Sequence, residues 1–226
     1  MPTLYVIATP IGNLEDITLR ALRLLKEADA ILCEDTRVTS RLLARHGIRT
    51  PLIGYHSHST KERVAEITSL LCQGKTLALV TDAGTPGISD PGNELVSDLC
   101  ARLPGLTVSP VPGASALVAA ASVAGMPMGE FLFLGFPPHK KGRKTFFERV
   151  AQSLCPVILY ESPFRVAKTL GELGAVAGAD RRVVVCRELT KRFETITRGR
   201  IGEAGADVAK KPAKGEFVIV LAGAGT

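Results

Sequence analysis

Residues Thr76 to Gly92 read TLALVTDAGTPGISDPG. Five apolar or β-favouring residues run straight into Thr81-Asp82-Ala83-Gly84-Thr85-Pro86-Gly87, a loop of turn formers. A short, unbroken apolar run bounded by turn signals marks a strand buried on both faces, and therefore a parallel sheet covered by helices. Gly84 and Gly87 allow backbone conformations and close approach that a Cβ would forbid, while Pro86 fixes the turn. Asp90-Pro91-Gly92 then predicts a helix start, with Asp90 as N-cap, Pro91 in the first turn, and Leu95 and Leu99 inside. The loop thus lies at the carboxyl end of a buried strand, where sheets of this kind bind ligands.

Other runs extend the pattern in both directions. LYVIA (Leu4 to Ala8), AILCE (Ala30 to Glu34), PLIGY (Pro51 to Tyr55) and LTVSP (Leu106 to Pro110) are further strands. Helical periods at Thr18 to Glu27, Thr39 to Arg45, Lys61 to Gln73 and Asn93 to Arg102 alternate with them, as βαβ units require. The alanine-rich helix of Gly113 to Gly125 closes this series. A second series holds FLFLGF (Phe131 to Phe136), a helix at Thr145 to Leu154, PVILYE (Pro156 to Glu161), a helix at Phe164 to Val176, RVVVCREL (Arg182 to Leu189) and EFVIVLA (Glu216 to Ala222). The expected fold class is α/β with two α/β domains, 1–124 and 125–226. The first is a parallel doubly wound sheet, the second a mixed sheet, with a ligand cleft between them.

Charge divides along the same line. Residues 1–124 carry 11 Lys+Arg against 12 Asp+Glu, whereas residues 125–226 carry 17 against 10, for a total of +6. A neutral half joined to a basic half suits an anionic partner such as nucleic acid. The five cysteines lie far apart and mostly in apolar runs, with no CxxC pair, which predicts buried free thiols. No apolar run approaches the roughly 20 residues that span a bilayer, and the N-terminus has no signal-peptide pattern; no membrane association and a cytoplasmic location are expected.

The known phosphate loops do not match. A Walker loop needs Lys-Ser/Thr after its glycines, and a dinucleotide fingerprint needs G-x-G-x-x-G. This loop carries Asp82 and Asp90 instead, which repel phosphate but accept hydrogen bonds from amines and hydroxyls. A ligand with an amino-acid moiety and a ribose, such as S-adenosylmethionine, fits that chemistry. Two other strands also end in turn or small residues, at Thr9-Pro10-Ile11-Gly12-Asn13 and Val111-Pro112-Gly113-Ala114-Ser115. The competing account of each is a tight turn with a capped helix.

Eight segments in order carry a resemblance over nearly the whole chain. They are TPIGNLEDITLRAL (Thr9 to Leu22), CEDTR (Cys33 to Arg37), TDAGTPGISDPG (Thr81 to Gly92), VPGASA (Val111 to Ala116), GFPP (Gly135 to Pro138), ESPFR (Glu161 to Arg165), ELTKRFET (Glu188 to Thr195) and KGEFVIV (Lys214 to Val220). The chain resembles the ribosomal RNA small-subunit methyltransferase I family, within the tetrapyrrole methylase fold. The resemblance implies S-adenosylmethionine as cofactor and 2′-O-ribose methylation of a cytidine in small-subunit ribosomal RNA, presented as RNA or as the assembled 30S subunit. It also implies a homodimer. Cofactor contacts carried over by position are Pro10, Ile11, Asp82, Ala83, Gly84, Thr85, Ser115, Ala116, Phe136, Leu189 and Gly215. One departure is ESPFR, where the family shows ESPHR; Phe164 keeps a ring but has no acid/base role.

Methyl transfer to a ribose hydroxyl needs a group that takes the proton, because that hydroxyl is a very weak acid. Residues at strand ends that offer themselves are Glu34, Asp35 and Glu161, with Lys191 able to help if its pKa is lowered. For Asp35 the competing account is a helix cap paired with Arg37; for Glu161, a strand end followed by a cap at Ser162. His56 and His58, two apart, are the only hint of a metal, and no HExxH pattern supports one; no metal is expected. In PPHKKGRK the four cations Lys140, Lys141, Arg143 and Lys144 are expected to touch phosphate, with Lys191, Arg192, Arg198 and Arg200 as possible extensions. Two rival functions remain: a carbon methylase of tetrapyrroles, which the basic second half disfavours, and a non-catalytic RNA-binding module, which needs no convergent strand ends.

Overall fold

The computed structural model describes residues 2–56, 59–210 and 213–225. The chain divides into two compact units, Met1–Ser115 and Ala116–Thr226.

The first unit holds a five-stranded sheet of β1 (Thr3–Ile7), β2 (Ala30–Cys33), β3 (Leu52–Gly54), β4 (Thr76–Leu79) and β5 (Thr107–Val111) in the order β3-β2-β4-β1-β5. Its pairings are parallel. Side chains alternate across it, as strand geometry demands. Leu4, Leu32, Leu77 and Leu79 pack with Ile67 and Leu71 of α3 (Lys61–Cys72) and with Leu95 and Leu99 of α4 (Asn93–Arg102). Ile7, Ile31, Ala78 and Val80 meet Leu24 and Leu25 of α1 (Leu19–Glu27) and Leu43 of α2 (Thr36–Arg45). Each fully buried leucine or isoleucine contributes about 1.5–3 kcal/mol, so these two layers fix the sheet and with it the row of strand ends.

The second unit is a mixed sheet of β6 (Leu132–Phe133), β7 (Val157–Glu161), β8 (Arg182–Arg187), β9 (Thr195–Arg200) and β10 (Phe217–Leu221), ordered β6-β7-β10-β8-β9. Only β6 with β7 is parallel among its described pairs. One face is covered by α6 (Arg143–Gln152), α7 (Val166–Ala177) and α8 (Ile201–Ala209), through Phe147, Leu170, Ile201 and their neighbours.

Four details depart from expectation. The alanine-rich helix α5 (Ala116–Val123) belongs to the second unit, not to the end of the first. Its small side chains let it lie on β10, and the Leu117 N–H donates to the Tyr160 hydroxyl at 3.1 Å. Strand β9 and helix α8 lie in a stretch where no element was expected. Asp90 does not cap α4: the helix starts at Asn93, with Gly92 at φ 143° as the preceding residue and no side-chain cap. All five cysteines are free, but Cys72 on α3 and Cys100 on α4 are exposed rather than buried. Among the described residues no helix is long and apolar enough to cross a membrane.

Candidate active site

The sheet order makes β4, β1 and β5 neighbours, so the three strand ends singled out in the sequence lie side by side. They are stitched together by backbone. Thr9 and Gly84 exchange N–H···O bonds of 2.9 and 3.0 Å, Ala8 donates to the Val111 carbonyl at 3.2 Å, and the Thr85 hydroxyl donates to the Ala114 carbonyl at 3.3 Å. Gly84 sits at φ 83° and Gly87 at φ 80°. A Cβ on Gly87 would lie 2.6 Å from Asn93 Oδ1, whose side-chain amide donates to the Gly87 carbonyl at 2.7 Å. Glycine is therefore required there on two counts.

Within this edge the N–H groups of Ala83 and Thr85 have no protein acceptor among the described residues. Asp82 is exposed, and its Oδ1 accepts the Asp35 N–H at 3.1 Å, tying the end of β2 to the loop after β4. Partial desolvation of the carboxyl group, exposed though the residue is as a whole, raises Asp82 above its ordinary value, against the lowering bond from Asp35 N–H. Backbone donors beside a carboxylate acceptor suit a ligand carrying both an amino-acid carboxylate and hydroxyl or ammonium donors. S-adenosylmethionine fits this donor set. Ile11 and Pro10 are buried beside the Thr9–Gly84 bridge, and Ser115 and Ala116 open α5.

A second feature occupies the other half of the same edge. A cavity of about 410 Å³ is lined by Glu34 after β2, Tyr55 after β3, and Ser89 to Glu94 ahead of and into α4. The Thr81 hydroxyl donates to Glu34 Oε2 at 3.1 Å. Asp90 is pushed up to about 6 by burial and then by the charges of Glu34 and Asp82, with a bond from Thr81 opposing. Ser89 holds φ 63°, a strained backbone for a residue with a side chain. Sequence reasoning missed Tyr55, Ser89 and Glu94; Tyr55 follows a strand end just as Glu34 does, and that position was the available signal.

The proposed proton acceptors fare differently. Asp35 caps α2, its Oδ1 taking the Arg37 N–H at 2.8 Å and its Oδ2 the Arg37 guanidinium at 2.6 Å. Those bonds hold its carboxyl down at about 2, so it is a poor base and the capping account is the one observed. Glu161 is enclosed: Arg165 at 2.8 Å and the Ser162 N–H at 2.7 Å engage one oxygen, and the Thr169 hydroxyl at 2.6 Å the other. Lys191 was expected to help through a lowered pKa. Burial does press that way, but bonds to Glu216 and Glu188 outweigh it and the ammonium is raised. Glu34 is the candidate that lines an open cavity.

In the second unit Phe136 is 51% exposed and meets the Tyr160 ring edge-on at 5.5 Å. Leu189 is buried, and Gly215 sits at φ 100° against the Glu188 side chain. Of the four cations in PPHKKGRK, Lys140 and Lys141 are exposed, but Arg143 is not a surface group. It is 7% exposed and bonded to Glu172 at 2.6 Å, to Thr169 Oγ1 at 2.8 Å and to the Pro138 carbonyl at 2.9 Å. Lys144 lies 3.8 Å from Glu148, Arg192 stacks on Phe193, Arg198 donates to the Val123 carbonyl and Arg200 pairs with Asp180 at 3.4 Å. His58 of the HSH run lies outside the described residues. Among those described, no group of three or more His, Cys, Asp or Glu could hold a metal ion.

Comparison with known proteins adds to this geometry. Residues 3–205 match the family model of tetrapyrrole (corrin/porphyrin) methylases. The chain is 46% identical over 99% of its length to the ribosomal RNA small subunit methyltransferase I of Halalkalibacterium halodurans, covering 76% of that protein. It is 44% identical over 99% of its length to the protein of the same name from Thermotoga maritima, covering 99% of it. Among solved structures it is similar to a cobalt precorrin-4 methyltransferase, at TM-score 0.73 and 22% identity over 97% of this chain and 94% of the other. A uroporphyrin-III C-methyltransferase from Thermus thermophilus matches at TM-score 0.65 and 18% identity over 97% and 94%. Those two likenesses establish the fold, while the two closer relatives establish kinship: the chain belongs to the tetrapyrrole methylases and, within them, to the ribosomal RNA small subunit methyltransferase I family.

Proposed function

We propose that this protein uses S-adenosylmethionine to methylate the ribose 2′-hydroxyl of a cytidine in small-subunit ribosomal RNA. The observation that carries the reading is the row of strand ends β4-β1-β5, where N–H groups of Ala83 and Thr85 without an acceptor among the described residues stand beside Asp82 in a chain 46% identical to a ribosomal RNA methyltransferase. Asp82 would accept from the cofactor's hydroxyl or ammonium groups, and Ala83, Gly84 and Thr85 would offer backbone, with Pro10, Ile11, Ser115 and Ala116 alongside. The resemblance adds Phe136, Leu189 and Gly215, and those assignments are part of the proposal, as are the division of labour between a cofactor-holding first unit and a basic second unit, the homodimer and the cytoplasmic location.

The bound cofactor supplies an electrophilic methyl group, so most of the rate must come from positioning the hydroxyl in line with it. Glu34 is the group we assign to take the hydroxyl proton: it is half-buried, oriented by Thr81 and faces a cavity. Lys140 and Lys141, exposed and without a carboxylate partner in the described ion pairs, are assigned to the RNA backbone. Mass mapping of ribosomal RNA from cells lacking the gene tests the reading. Loss of one ribose methyl, restored by the gene, is expected; an unchanged methylation map contradicts it.

A further inference from the structure

The acidic cavity has the wrong sign for an RNA backbone. Glu34, Asp90 and Glu94 line it, with Asp82 close enough to Asp90 to raise it, so a phosphate entering it would meet carboxylates at every turn. An uncharged group that donates hydrogen bonds is the occupant such a lining favours. A second, independent observation points the same way. Tyr55 lines the cavity and is 7% exposed as a whole residue. Its hydroxyl has no protein partner among the described residues and is not one of the buried unsatisfied atoms, so the oxygen opens on the cavity, where an occupant can bond it.

We propose that this cavity receives the target nucleobase, turned out of its stack, and that Asp90 and Tyr55 read its edge as cytosine. The inference rests on the ribosomal RNA reading above and names how that site selects its nucleotide. Turning a nucleotide out of its stack frees its ribose to approach a protein-bound methyl donor, and proteins that take up an unstacked base read it by hydrogen bonds to its Watson–Crick edge. Cytosine offers an exocyclic amine, a donor for Asp90, next to a ring nitrogen and a carbonyl that accept from the Tyr55 hydroxyl. Uracil puts a carbonyl where that amine would be, facing a carboxylate. The volume lies within the range of pockets that enclose small ligands. Placement agrees too: the cavity lies at the ends of β3, β2 and β4, beside the β4-β1-β5 edge assigned to the cofactor, with Glu34 on its wall. The raised Asp90 carboxyl also fits a residue whose ordinary hydrogen-bond partner is a ligand.

The test compares wild type, Asp90→Asn and Tyr55→Phe on ribosomal RNA in small subunits from cells lacking the gene, and on the same RNA with uridine at the target position. Calorimetry measures S-adenosylmethionine binding by each protein. Expected are cofactor affinities within about twofold of wild type, kcat/KM on the cytidine RNA lower by roughly 10- to 100-fold, and a cytidine-over-uridine ratio that collapses at least tenfold in Asp90→Asn, whose amide can both donate to and accept from uracil. The ratio is internal to each protein, so a partly unfolded variant does not disturb it. An unchanged ratio in both variants overturns the inference, and so does a parallel loss of cofactor affinity, which would assign the cavity to the cofactor; both leave the methyltransferase reading standing. A wild-type protein inert on every RNA refutes that reading itself, and this inference with it.

Discussion

The two units use their charged residues in opposite ways. In the second, Arg143, Thr169, Glu161, Arg165 and Glu172 form one network, buried at Arg143, Thr169 and Glu161 and half-buried at Arg165 and Glu172, in which the charged groups bond one another. In the first, Asp90, Glu34 and Tyr55 surround open volume, and the Tyr55 hydroxyl opens on it with no protein partner among the described residues. The same contrast recurs within the first sheet's edge. Asp35 is held at about 2 by Arg37, whereas Asp90 is pushed up to about 6 by burial beside Glu34. Charges that satisfy one another hold a fold together; charges kept short of partners are where a ligand is awaited.

The sharpest way to break this contrast is to treat the second unit's network as if it were a site. Arg143→Ala should lower the unfolding free energy by about 2–3 kcal/mol, below the full cost of a bisected buried pair because Glu172 keeps contact with water. Denaturant titration reads it, and RNA affinity at fixed salt should barely change; a loss of RNA binding without loss of stability would return Arg143 to the phosphate-binding set. Asp82→Ala probes the first unit. Losing one acceptor for charged or hydroxyl donors should cost about 1.5 kcal/mol or more, tenfold or greater in S-adenosylmethionine affinity by calorimetry.

Reversal of Lys140 and Lys141 to glutamate should weaken RNA binding and make the log–log salt dependence shallower by about 2, one phosphate contact for each lysine. The smallest effect expected is on stability. Asp90 has a folded-state pKa above its ordinary value, so its ionised form is disfavoured in the fold; that cost is absent below about pH 4 and complete above about pH 6. Asp90→Asn should therefore melt about 2 °C higher than wild type at pH 8, with solvent screening allowed for, and level with it at pH 4. A variant more stable and less active would mark Asp90 as held for function.

Much of the first unit was legible in the sequence, because each parallel strand is a continuous apolar run and helices α1, α2 and α3 each have their own period and cap. Thr18, Asp35 and Thr60 cap α1, α2 and α3 with side-chain bonds. What escaped notice has a physical cause in each case. Strand β9, TITRGR, is an edge strand with half-exposed and exposed positions and little apolar pattern. Helix α8, IGEAGADVA, contains two glycines, which obscure its period. Asp90-Pro91-Gly92 has the composition of a helix start, yet the backbone turns at Gly92 and leaves Asp90 on the cavity wall. Arg143 read as one cation among four because burial is a tertiary property; only the arrival of Thr169 and Glu172, some thirty residues on, turns it inward. Tyr55 and Glu34 become a pair only once β3 and β2 are seen to be neighbours.

The central claim is that the β4-β1-β5 edge of the first sheet holds the methyl donor. A crystal structure with S-adenosylhomocysteine tests it most directly. The expected result is density against the backbone of Ala83 to Thr85, with the Asp82 carboxylate bonded to the ligand and Ser115 and Ala116 in contact with it. Ligand density elsewhere, with Asp82 still bound only to the Asp35 N–H, would contradict the account.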